Sequence, residues 1–228
     1  MFRDTIPGLE RAFKDDVKAP KVILVTGPPG SMKSSFVYNI LTSYLEKSGE
    51  FGLYATLEES SQSHLENMEA LGMKMSLKLQ ISDFTDLRDE EDNIDYLKFT
   101  EKMINHFKDT RKEKFTVFAF DSLGALYSLM EHEKNMRKRM YHFFKKLREA
   151  NLISFIIMER RLDGESNLMG NEGFLSDGII FLGLKRKQGR LVRFMQIEKM
   201  RATQHSMEAH AIEVRDGKLA VLGPIFDQ

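Results

Sequence analysis

The sequence predicts an α/β protein, with a mostly parallel central sheet flanked by helices and a set of antiparallel strands at its C-terminal end. Three observations carry this reading. Apolar, β-branched runs alternate with helical periodicities through the first two thirds of the chain, as in strand-helix-strand units joined by right-handed crossovers. The run from Phe115 to Phe120 is apolar at every position but Thr116, as in a strand covered on both faces of a parallel sheet. The last third is different: strand-like runs are separated by turns as short as Gln188-Gly189 and Asp216-Gly217, which suit hairpins.

Taken in order, a short turn and helix after Thr5-Ile6-Pro7-Gly8-Leu9 lead to a strand over residues 21 to 26. The helix from Lys33 to Ser48 carries Phe36, Val37, Ile40, Leu41, Tyr44 and Leu45 on one stripe, and Gly49 is placed to end it. A second strand over Gly52–Leu57 runs into Glu58-Glu59-Ser60. Ser61 is the expected cap of a helix bearing Leu65, Met68 and Leu71, stopped by Gly72. Leu79–Ser82 reads as a short strand and Asp83–Asp95 as an acidic surface loop. Ile94, Leu97, Ile104 and Phe107 have helical spacing before the basic turn 111–114. After the central strand, Met136, Met140, Phe143, Phe144 and Leu147 mark another amphipathic helix, followed by a strand over Ile153–Met158. Gly178–Leu182, Leu191–Ile197, Ala211–Val214 and Leu219–Val221 complete the strands.

With 228 residues and no linker-like or repeated segment, the expectation is one domain over residues 1–228. Lysine plus arginine and aspartate plus glutamate both number 34, so no global charge attracts nucleic acid or an anionic membrane. There is no cysteine, which excludes disulfides and thiolate metal sites. No apolar run reaches the length needed to span a bilayer, and Met1-Phe2-Arg3-Asp4 does not read as a signal peptide, so the expected location is cytoplasmic with no membrane partner. His205 and His210 lack a third ligand and read as surface or strand residues.

Chemistry concentrates where the first strand meets its helix. Gly27, Pro28, Pro29, Gly30, Ser31, Met32, Lys33, Ser34 and Ser35 follow the phosphate-loop pattern except at Met32, where the pattern has glycine. Such a loop turns backbone N–H groups inward on phosphate, sends a lysine to the β and γ phosphates and places a hydroxyl on magnesium. ATP and Mg2+ are the expected cofactors. Lysine in the first turn of a helix opposes the helix dipole, which an anionic ligand would reverse. Ser34 is the expected magnesium ligand. Asp121, where the central strand ends, is the acid expected to support the metal. Glu58 and Glu59, directly after the second strand, are both placed to orient and deprotonate an attacking water, or to be a solvated helix start.

The chain resembles the KaiC-like branch of the RecA superfamily of ATPases. The resemblance rests on Gly27–Ser35, on Leu57-Glu58-Glu59-Ser60 with residues 67–72 downstream, on Phe120-Asp121-Ser122-Leu123, and on residues 198–206. It implies a homo-oligomer, ring or filament, with nucleotide between neighbouring subunits. It also implies Glu58 and Glu59 as paired catalytic glutamates, Asp121 as the Walker B aspartate, and Lys199 and Arg201 as a basic pair reaching a neighbour's γ phosphate. Lys199 and Arg201 would share one side of a strand, so both positive ends would meet one triphosphate.

If the loop keeps glycine's conformation, a side chain at Met32 costs roughly 1–3 kcal/mol, which taken from binding is about 5-fold to 150-fold in affinity. A loop on a different path would avoid that cost. The expected function is a Mg-dependent oligomeric ATPase. The alternatives are a nucleotide-sensing assembly or signalling protein with little hydrolysis, acting on a protein partner the sequence does not identify, and a recombinase-like DNA-binding ATPase. Neutral net charge counts against the last, and the basic helix face around Arg137, Lys138, Lys145 and Lys146 reads as solvated surface.

Overall fold

A nine-stranded sheet in the order β3-β2-β4-β5-β1-β6-β7-β8-β9 organises the computed structural model, which describes residues 1–85, 94–130, 135–160, 172–215 and 218–225. Its strands are β1 (Lys21–Gly27), β2 (Phe51–Thr56), β3 (Leu79–Asp83), β4 (Phe115–Asp121), β5 (Ile153–Glu159), β6 (Gly178–Lys187), β7 (Arg190–Met200), β8 (His210–Arg215) and β9 (Lys218–Pro224). The first six pair in parallel and the last four form antiparallel hairpins. This is the predicted class. Gln188 and Gly189, with φ of 49° and 77°, form the β6-β7 turn as expected of a tight hairpin; the Asp216-Gly217 turn lies outside the described residues, as does most of the acidic loop.

The helices are α1 (Leu9–Ala12), α2 (Lys33–Ser48), α3 (Ser61–Ala70), α4 (Tyr96–Arg111), α5 (Leu123–Leu129), α6 (Met136–Glu149) and α7 (Glu172–Leu175). Alternation along β1 splits the core into two layers. Ile23 and Val25 pack with Phe36, Val37, Ile40 and Leu41 of α2, whereas Val22 and Leu24 face Leu97, Leu126, Phe143 and Phe144 of α4, α5 and α6. No helix among the described residues is long and apolar enough to cross a membrane.

Several boundaries move. The cap of α3 is Ser60, not Ser61: its side chain accepts from the Ser63 N–H at 3.2 Å, while the Ser61 N–H donates to Asp83 at 2.8 Å. Asp83 therefore belongs to β3, and Asp95, at the other end of the expected loop, caps α4. Strands β6 and β7 run past their predicted ends because pairing with each other continues beyond the apolar stretch, out to Lys187↔Arg190. Helices α5 and α7 are additions; α5 was signalled by Ser122 as a cap and by Leu123, Leu126 and Tyr127 at helical spacing.

Candidate functional site

The end of β1 and the start of α2 build a cradle from backbone alone. Gly27 lies so close to β6 that a Cβ there would sit 2.0 Å from the Leu182 carbonyl oxygen. Pro28 follows, and the Ser31 N–H closes the turn on the Pro28 carbonyl at 3.3 Å. The N–H groups of Met32, Lys33, Ser34 and Ser35 have no backbone acceptor among the described residues, as expected of a helix start that faces an anion. The hydroxyls of Thr26 and Ser31 are buried beside it without a hydrogen-bond partner among those residues.

Met32 takes φ 72° and ψ 34°, the left-handed conformation that glycine adopts freely. The loop thus keeps the glycine path with a methionine on it. The side chain, half-buried, packs against the core layer under α2. Pro29 and Gly30 (φ 77°) form the exposed rim, and Ser35 is buried on α2.

Lys33 donates from Nζ to the Pro28 carbonyl at 3.1 Å, lying along the loop. Burial pushes its amino group below the ordinary lysine range, against the carboxylates of Glu159, Asp121 and Glu58. Ser34 Oγ donates to Asp121 Oδ2 at 2.6 Å, and Tyr54 Oη donates to the same oxygen at 2.6 Å. The Asp121 carboxyl is 3% exposed, and burial raises it above the usual carboxylate range despite both donors. The same burial, with the Asp121 charge beside it, drives the Tyr54 phenol far up.

The two glutamates separate. Glu58 accepts a short hydrogen bond from Ser122 Oγ, next to Asp121. Both oxygens of Glu59 are taken up by α3: Oε1 with His64 Nδ1 at 2.7 Å, Oε2 with Ser63 Oγ at 3.2 Å and Asn67 Nδ2 at 2.8 Å. His64 is fully buried and lies against the Tyr54 ring, 4.6 Å between centroids.

Lys199 and Arg201 stand at the opposite end of the sheet. Lys199, on β7, donates to the carbonyls of Gly173 and Ser176 at 2.8 and 2.6 Å. Arg201 lies one residue past the strand, where it donates to Phe174 at 3.3 Å and pairs with Asp177 at 3.6 Å. The Asp177 backbone N–H bonds to the Val22 carbonyl at the start of β1, five residues or about 17 Å of strand from Gly27. Neither cation reaches its own chain's cradle. On the basic face of α6, Lys145 and Lys146 both pair with Glu149, and Arg148 pairs with Asp177.

Two residues near the loop escaped sequence reasoning. Glu159 ends β5 opposite Gly27, and the rule that selected Asp121, an acid closing an apolar strand, also selects it. Arg193 donates from Nε on β7 to the Gly30 carbonyl at 3.0 Å; no local pattern announces a contact 163 residues away.

The family model for the KaiC ATPase matches residues 2–224. The chain belongs to the KaiC ATPase family. Among curated relatives of this KaiC-family chain is a UPF0273 protein of Methanopyrus kandleri, 27% identical over 95% of this chain and 89% of that one. Another is the circadian clock protein KaiC3 of Synechocystis, 23% identical over 96% of this chain but 45% of its own length. A solved KaiC-like protein from Pyrococcus horikoshii superposes with a TM-score of 0.82, covering 96% of this chain and 97% of that one at 24% identity, a likeness of fold. The KaiC-family domain is a P-loop ATPase domain, so nucleotide binding belongs to this chain's family.

Proposed function

We propose that this chain is a magnesium-dependent ATPase whose site is completed by a second copy of itself. The observation that carries the reading is the cradle: four consecutive N–H groups without backbone acceptors, a lysine held only by a loop carbonyl, and a serine hydroxyl already bonded to a buried aspartate. These residues fit Mg-ATP. The N–H groups of Met32–Ser35 and Lys33 would hold the phosphates, and Ser34, backed by Asp121, would hold the metal. Bound magnesium would neutralise charge building on the phosphates.

Glu58 is the residue placed to take a proton from water at a carboxylate oxygen, since its carboxylate partner among the described residues is a rotatable hydroxyl. Glu59 is a positioning residue, because α3 occupies both its oxygens. Lys199 and Arg201, at the far end of the sheet, act on the γ phosphate of a neighbouring copy. Such a contact is head-to-tail, so it generates a ring or a filament. Phe174, 75% exposed beside Arg201, is the aromatic anchor of that interface.

Phosphate release and light scattering with and without Mg-ATP test the reading together. Glu58→Gln should lower turnover by about 100-fold or more with nucleotide still bound, Glu59→Gln by less. Arg201→Ala should lower turnover and the Mg-ATP-dependent mass. Equal turnover in wild type and Glu58→Gln overturns the assigned base. Tight Mg-ATP binding and a mass change without phosphate release would assign the nucleotide-sensing assembly role instead.

A further inference from the structure

Behind α2, on the side away from the catalytic carboxylates, lies a cleft of about 700 Å3 bounded by the N-terminal segment, α2, the 72–75 turn and Lys218 of β9. Its volume falls in the range of about 300–1,000 Å3 typical of small-molecule sites. Ile6, Pro7 and Met75 supply apolar wall, and Met75 is 58% exposed at the mouth.

Asn39 lines this cleft and is only 8% exposed. Its backbone carbonyl accepts from Thr42 Oγ1 at 3.3 Å, but its side-chain amide has no partner among the described residues. Neighbouring hydroxyls do not serve it: Thr42 Oγ1 bonds back to Tyr38 and Asn39 carbonyls, and Thr5 Oγ1 bonds to the Phe2 carbonyl. The amide is one of the groups lining the cleft, so its hydrogen-bonding capacity is open to whatever enters there. Asn39 offers an acceptor oxygen and a donor N–H side by side. Around it, Asp4, Glu10 and Glu46 are balanced by Lys47, Lys74 and Lys218, so the rim selects no net charge.

We infer that this cleft binds an uncharged or zwitterionic small molecule with an apolar ring and an amide-like edge, pairing donor and acceptor with Asn39. The amide, lactam and nucleobase edges share that chemistry. A concave site with its polar group at the buried wall suits a small molecule better than a protein surface. Asn39 sits six residues after Lys33, about 9 Å along α2, so this site and the phosphate cradle are separate places on one helix.

The test is a 1H-15N NMR titration of the full chain with three phosphate-free probes, indole-3-carboxamide, nicotinamide and uracil, at millimolar concentration. At least one should give saturable shifts at the Asn39 side-chain amide and at the backbone of residues 5, 6, 39–46 and 72–75. Asn39→Leu, which keeps the branched shape and removes the amide, should weaken binding at least tenfold. Met75→Glu, on the exposed rim where folding is not at stake, should weaken it too and does so even if Asn39→Leu fails to fold. No shifts with any probe, shifts confined to other regions, or unchanged affinity in Met75→Glu and in a folded Asn39→Leu overturns the inference. So do shifts of the same amides with protein concentration alone, which would mean that a second copy fills the cleft.

Discussion

Replacing Met32 with glycine separates a cost of folding from a cost of binding. Met32 is left-handed, φ 72°. A residue with a Cβ in that conformation is disfavoured by about 1–2 kcal/mol, and glycine removes that cost. Two losses oppose the gain. Glycine raises the entropy of the unfolded chain, worth about 0.4–1 kcal/mol, and a half-buried methionine on the core layer gives up about half of a full burial of roughly 1.5–3 kcal/mol. The sum lies between a net loss of about 1.5 kcal/mol and a net gain of about 1 kcal/mol. With the cost of the left-handed Met32 placed in folding rather than in binding, Met32→Gly should change the Kd for Mg-ADP by less than about threefold, or 0.7 kcal/mol. Urea unfolding and titration calorimetry on the same preparation read both terms. Met32→Ala serves as control: it keeps the left-handed residue and loses packing, so it should be the less stable of the two at unchanged affinity. A tenfold or greater tightening in Met32→Gly would refute the reasoning, since it would mean that the strain is incurred when nucleotide binds.

Burial raises the Asp121 carboxyl, so the folded chain holds that proton to higher pH than the unfolded chain does. Stability from this group is therefore greatest below the ordinary carboxylate range and falls as pH rises through the raised folded value; in nucleotide-free protein, urea midpoints should show that decline, and Asp121→Asn should flatten it. Tyr54→Phe removes one of two donors from the buried Asp121 oxygen, which should cost about 1–3 kcal/mol in urea unfolding and leave Ser34 as the remaining donor; an unchanged midpoint would show that the bond contributes nothing net.

The placement of the candidate site residues was legible in the sequence because each lies in a short segment. The phosphate loop, Asp121 at a strand end and the glutamates after β2 all lie where a strand hands over to a helix, and parallel strands bring those ends to one edge of the sheet. Strand and helix positions followed from periodicity for the same reason. Boundaries followed less well where a hydrogen bond from elsewhere decided them, as at Ser60, which caps α3 because Asp83 of β3 takes the next N–H.

From its order of residues alone this chain declares an α/β nucleotide fold, a loop of the phosphate-binding pattern and the acids that end its strands. Which glutamate faces that loop, that Met32 keeps a glycine's backbone, and that Lys199 and Arg201 lie at the far end of the sheet were settled by the tertiary structure. The physical reason is distance along the chain. Glu58 meets Ser122 across 64 residues, Arg193 meets Gly30 across 163, and Arg201 is held beside β1 by Asp177. Such partners are chosen by strand order and register, and no window of sequence contains both of them.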